Sequence, residues 1–125
     1  MENFIKQLVP KKMSEYRLKT NDFIEMYNDG EVEIVDIRMD FEVKVWQLNF
    51  GLQIPANELP DNLNKLPKDK IIVCACPKSD RSIMASAYLN SIGIEAKYLA
   101  DGMLDVMEKL KGGMAKSIDL DNRWK

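Results

Sequence analysis

Two cysteines, Cys74 and Cys76, stand one residue apart, and the second opens the run Cys76-Pro77-Lys78-Ser79-Asp80-Arg81-Ser82. A thiol beside cations and hydroxyls suits nucleophilic chemistry, in which a thiolate attacks and neighbouring charge holds an anion. The chain has 125 residues and no histidine. That excludes a Ser-His-Asp or Cys-His pairing within it, an imidazole metal site and an imidazole proton shuttle. Acid-base and nucleophilic work falls to carboxylates, lysines, tyrosines or the two cysteines. Two residues apart on a strand, the cysteine Cα atoms are separated by roughly 6.6 Å, at the limit for a disulfide. Both are therefore expected as reduced thiols. Without histidine they also fall short of the four ligands of a structural zinc, so neither metal nor cofactor is expected.

The elements around Cys76 give it a place. Ile71-Ile72-Val73-Cys74-Ala75 is short, unbroken and uncharged, as suits a central parallel strand covered on both faces. Cys74 lies inside that run and reads as a small core hydrophobe. Cys76 lies at its end, where Pro77 holds it extended. Ile83, Ala87, Tyr88 and Ile92 follow at helical spacing over Ser82 to Ile92, and Gly93 closes the helix. Reactive crevices of open α/β sheets lie at the carboxyl ends of strands. There the N–H groups of residues 78 to 82, with the helix dipole, would form a cradle for an anion. An ordinary cysteine is only a few per cent thiolate at pH 7, and such a cradle would favour the charged form with no imidazole.

The remaining elements alternate. Residues 1–13 read as an arm or short packed segment. Thr20 is expected to cap a helix over roughly 21–29 bearing Phe23, Ile24, Met26 and Tyr27, stopped by Gly30. Val32 to Ile37 reads as a buried strand. The stretch from Met39 to Gln53 holds Trp46, Leu48 and Phe50, and Pro60, Leu63 and Pro67 frame a short helix or turn. Glu95 to Ala100 is a further strand. Asp101 is expected to cap a helix with Met103, Leu104, Val106, Met107 and Leu110, ending at Gly112-Gly113. Alternation of strand and helix defines an α/β protein, a mainly parallel central sheet of about five strands with helices on both faces.

Composition limits the partners. Eighteen basic and twenty acidic residues leave a net charge of −2, so no global field draws in nucleic acid or an anionic membrane. Apolar runs are too short for a membrane span, and the N-terminus lacks a secretory pattern, so the cytoplasm is the expected compartment. Residues 1–125 read as a single domain, with a core of about 14–112, an N-terminal arm over 1–13 and a C-terminal tail over 113–125.

Taken together, these segments resemble the single-domain rhodaneses, a family of sulfurtransferases. Val35-Asp36-Ile37-Arg38 is similar to the family's strand-ending I-D-V-R, Ile54-Pro55 to a following I-P, and Leu66 to Val73 to the lead into the active strand. Cys76 to Ser82 aligns with its C-x-x-x-x-R-S loop, residues 84–89 and 91–93 with the helix and turn beyond, and Asp101-Gly102-Met103-Leu104 with a late glycine element. Phosphatases and arsenate reductases of the same superfamily carry one more residue between cysteine and arginine.

The resemblance implies a sulfurtransferase in which Cys76 becomes a persulfide, taking sulfur from a donor such as thiosulfate or polysulfide and yielding it to a thiol or protein acceptor. Pro77, Lys78, Ser79, Asp80, Arg81 and Ser82 would form the substrate loop. Lys78 and Arg81 would attract or orient an anionic donor, with Arg81 equally suited to bracing the loop. Asp36 and Arg38 would support it, chiefly as a structural ion pair. Three departures stand out. Trp46 to Gly51 replaces the family's G-H-I-P-G-A segment, Ser79 occupies a position usually held by glycine, and Asp80 adds negative charge beside the thiol.

Other readings remain open. One is a rhodanese-fold binding module, idle or active only in a complex, with Trp46, Phe50 and Trp124 as contact residues. Another is a phosphatase-like or arsenate-reductase-like enzyme, which the loop length disfavours. A third is a redox pair of Cys74 and Cys76, which strand geometry disfavours. A homodimer is open too.

Overall fold

The computed structural model describes residues 1–120, so Trp124 lies outside the described residues. Five parallel strands form one sheet in the order β1-β5-β4-β2-β3. They are β1 (Arg17–Leu18), β2 (Val32–Asp36), β3 (Leu52–Gln53), β4 (Ile71–Ala75) and β5 (Ala96–Leu99). The uncharged run predicted as the central strand is β4, flanked by β2 and β5.

Side-chain alternation along the central strands builds two apolar layers. Val35, Ile37, Ile72, Cys74 and Cys76 face one side, where they meet Ile54, Leu59, Ala85 and Leu89. Val32, Ile34, Val73 and Ala75 face the other, against Phe23, Tyr27, Met103 and Val106. Two helices cover each side in turn with different partners. A 3-10 segment, Ala56–Lys65, and helix α5 (Asp80–Ser91) supply residues to the first layer. Helices α3 (Thr20–Asn28) and α6 (Gly102–Lys109) supply the second. Trp46, Leu48 and Phe50 pack against the second layer.

The arm contains two short helices, α1 (Glu2–Lys6) and α2 (Pro10–Ser14), the first anchored by buried Phe4 against Tyr16, with ring centroids 5.6 Å apart. The fourth helix, α4, is a single turn over Asp40–Val43. Three local expectations change. Helix α5 starts at Asp80, two residues before the predicted Ser82, so the loop is shorter than the apolar spacing implied. Thr20 lies inside α3, and its hydroxyl donates to Asp105 of α6 in place of capping its own helix. The two-residue strands β1 and β3 are too short to show a period of two, so only pairing with β5 and β2 defines them. No described helix is long and apolar enough to cross a membrane.

Candidate active site

Cys76 follows β4 directly, and the register places Asp36 of β2 opposite Ala75. The Ile37 amide extends that ladder by donating to the Ala75 carbonyl over 3.0 Å. The ends of β2 and β4 therefore bring Asp36, Arg38 and Cys76 to the same carboxyl end of the sheet. Both cysteine side chains fall on the α5 side, as residues two apart on a strand must. Their environments nonetheless differ.

Cys74 is enclosed in the apolar layer, and burial, with a smaller contribution from Cys76, pushes its thiol up to about 12. A thiol so raised is protonated at physiological pH, in keeping with a small core hydrophobe. Cys76 is equally inaccessible, at 0% exposure, yet it meets polar groups. Its Sγ lies 3.4 Å from Ser82 Oγ and 3.9 Å from Asp80 Oδ1. Ser82 Oγ donates in turn to the Ser79 carbonyl over 3.0 Å. Asp80 and Ser82 belong to the first turn of α5, whose amides lack carbonyl partners within the helix. The thiol therefore sits against the positive end of a twelve-residue helix.

The loop's backbone is held from the other side by α6. The amides of Met103 and Leu104 donate to the carbonyls of Cys76 and Pro77 over 2.9 and 3.2 Å. Gly102 makes this approach possible. Its φ is +76°, and a Cβ there would overlap the Pro77 and Lys78 carbonyl oxygens and stand 2.6 Å from Lys78 Cα. Ser79, where the related loops carry glycine, has a negative φ of −142° and so does not need glycine's left-handed freedom.

The charged residues divide in two. Arg38 is 1% exposed and forms a buried ion pair with Asp36, Nη2 to Oδ2 at 2.8 Å and Nε to Oδ1 at 3.0 Å. Its Nη2 also donates to the Trp46 carbonyl over 2.9 Å, and its guanidinium lies 4.0 Å from the centroid of the Trp46 ring. Trp46 thus closes over the pair. Arg81 reaches across to α4, where its two terminal nitrogens donate to the two oxygens of Glu42 over 2.8 and 2.9 Å. The Arg81 hydrogen bonds, reinforced by the Met39 amide, draw the Glu42 carboxyl down to about 2. Lys78 is exposed and has no carboxylate partner among the described residues.

The fold thus gathers Asp36, Arg38, Cys76, Asp80, Arg81 and Ser82 and leaves Lys78 facing solvent. Glu42 and Gly102 complete the arrangement, and sequence reasoning had assigned neither to the site. Glu42 sits in a stretch without periodic pattern, and its only sequence signal was its place shortly after Asp36-Ile37-Arg38. Gly102 was visible within the late glycine element, but not as the support of the cysteine loop. An open groove of about 260 Å³ beside Arg81 is lined by Leu59, Pro60, Met84 and Tyr88. Among the described residues no group of histidines, cysteines and carboxylates could hold a metal ion.

A parallel sheet with a cysteine at the carboxyl end of its central strand, followed by a short loop entering a helix, defines a cysteine-loop α/β protein. The pattern of the Rhodanese-like domain matches residues 19–109, and the chain belongs to that family. It is 35% identical over 63 residues to a sulfurtransferase of Allochromatium vinosum, a match covering 50% of this chain and 59% of that protein. It is 29% identical over 76 residues to the putative sulfurtransferase YtwF of Bacillus subtilis, covering 61% of this chain and 74% of YtwF. The crystal structure of a rhodanese-like domain protein from Staphylococcus aureus superposes with a TM-score of 0.65 at 30% identity, covering 72% of this chain and 89% of that one. Both of these curated relatives are named as sulfurtransferases, and the chain spans 59% of the length of the first.

Proposed function

We propose that the protein transfers sulfane sulfur through a persulfide on Cys76, from thiosulfate or a polysulfide to a thiol or protein acceptor. One observation carries this reading: the Cys76 Sγ lies at the end of the central strand, 3.4 Å from Ser82 Oγ in the first turn of α5. In the loading step the Cys76 thiolate attacks the outer sulfur of the donor. With thiosulfate, the new bond joins Cys76 Sγ to that sulfur, the donor's S–S bond breaks, and its electron pair leaves on sulfite. In the second step the acceptor thiolate attacks the terminal sulfur and Cys76 leaves as a thiolate. The amides of α5 and its dipole suit the sulfur anion in both states. Arg81 sits five positions after Cys76, and this spacing favours sulfur transfer over the longer phosphatase loop. Lys78, unpaired among the described residues, can attract an anionic donor. Asp36 and Arg38 act as structural support. This reading takes the cytoplasm, where thiols stay reduced, as the compartment.

Complete burial of Cys76 favours a second reading, a binding module active only when a partner moves the loop. Intact mass after incubation with thiosulfate or polysulfide separates the two. Sulfur transfer predicts a gain of about 32 Da that disappears in Cys76→Ser and survives in Cys74→Ser. A wild-type mass unchanged by either donor would reject sulfur transfer by the isolated protein and favour the binding module.

A further inference from the structure

The charges around Cys76 cancel, which bears on the kind of donor this loop accepts. Arg38 is paired with Asp36, and Arg81 with Glu42. Exposed Lys78 is unpaired among the described residues, and the Asp80 carboxylate of the same loop stands 3.9 Å from the reacting sulfur. Both guanidinium groups thus meet a carboxylate, and the loop's one lysine is balanced in net charge by its one aspartate. Arg81 in particular has its charge offset by Glu42, which accepts one N–H from each of its terminal nitrogens. A dianion approaching Cys76 would meet one nearby carboxylate and two guanidinium groups whose charges are already offset.

Resting on the sulfur-transfer reading above, we propose that Glu42 is a positioning residue that ties Arg81 away from the donor and selects organic persulfides of low net charge over the thiosulfate dianion. The favoured donor is the persulfide of a small zwitterionic thiol, R–S–SH. The Cys76 thiolate attacks its terminal sulfur, the bond between the two donor sulfurs breaks, and the electron pair leaves on RS⁻. The proton remains on the transferred sulfur, giving Cys76–S–SH. No oxidant or reductant is consumed.

The test compares Cys76 persulfide formation from thiosulfate and from cysteine persulfide, followed by mass in the wild type, Glu42→Gln and Glu42→Asp. Releasing Arg81 in Glu42→Gln should raise the thiosulfate rate roughly tenfold relative to the cysteine persulfide rate. That gain should fall as salt rises, whereas the wild-type thiosulfate rate should be nearly salt-independent. Glu42→Asp, which keeps the charge, should keep the wild-type preference. Equal losses with both donors in Glu42→Gln would make Glu42 a loop brace only and overturn the proposal, as would a wild type that prefers thiosulfate. A wild type that takes sulfur from neither donor would defeat the sulfur-transfer reading itself.

Discussion

Met103 donates its amide to the carbonyl of Cys76 over 2.9 Å, so the start of α6 holds the backbone of the residue proposed as nucleophile. A helix N-terminus ordinarily leaves its first amides without partners. Here the Met103 and Leu104 amides are committed to loop carbonyls, while the first turn of α5 faces the sulfur. One helix fixes the loop and the other brings the Asp80 and Ser82 side chains to the sulfur. The contact requires the backbone of Gly102 to lie directly on that of Lys78.

Gly102→Ala should therefore damage stability and loop geometry together. The left-handed backbone costs about 1–2 kcal/mol for a residue with a Cβ, and the overlap with Pro77 and Lys78 adds about 1–3 kcal/mol. Urea unfolding should show a loss of about 2–5 kcal/mol. Persulfide formation on Cys76 should slow even under conditions where the variant is fully folded.

Arg38→Met should cost about 3–5 kcal/mol, because it leaves the Asp36 carboxylate buried without its partner. The double variant Asp36→Leu/Arg38→Met removes both charges and should be more stable than Arg38→Met alone. Chemical denaturation of the wild type, both single variants and the double variant reads the coupling directly. Additive losses would show that the pair is not coupled.

Acid should weaken the Glu42–Arg81 bridge. The Glu42 carboxyl is depressed from 4.5 to about 2 in the folded protein. Its contribution to stability is thus present in full above about 4.5 and fades as pH falls toward 2. Arg81 is 38% exposed, so solvent screening limits the bridge to at most about 1 kcal/mol. Comparing wild type with Glu42→Gln by urea unfolding, the stability difference should be largest near neutrality and shrink at pH 3.

Cys74 should resist alkylation while the protein is folded. With its thiol pushed up to about 12 by burial, almost no thiolate exists at pH 8. Peptide mapping after iodoacetamide should find Cys74 unmodified in buffer and fully modified in concentrated urea. Rapid labelling of Cys74 in the native protein would contradict its placement in the core.

Much of this architecture is legible in local pattern. The run Ile71–Ala75 announces a covered strand because every residue is apolar, and the residues after it announce a loop because charge and proline replace them. Helices α3, α5 and α6 carry apolar residues at helical spacing, so their existence was clear and only their ends shifted. At α5 the shift mattered. Asp80 and Arg81 carry no apolar signal, so periodicity began the helix at Ser82, but the backbone starts it at Asp80. The family resemblance rests on short motifs whose order along the chain is itself a sequence property.

The sequence by itself determined the central strand, the alternation that makes the sheet parallel, and the placing of Cys74 inside that strand with Cys76 just beyond its end, all consequences of neighbours along the chain. Only the tertiary structure decided what surrounds the thiol. Glu42 lies 39 residues before Arg81, yet its carboxylate takes both guanidinium ends. Gly102 follows Lys78 by two dozen residues and meets its backbone. The physical reason is that hydrophobic periodicity encodes which face of an element is buried, whereas partners in an ion pair are chosen by how elements dock across the sheet. Charged side chains carry no period that would reveal such a match, so the balance of charge at Cys76 appears only when β2, β4 and the helices beyond them are assembled.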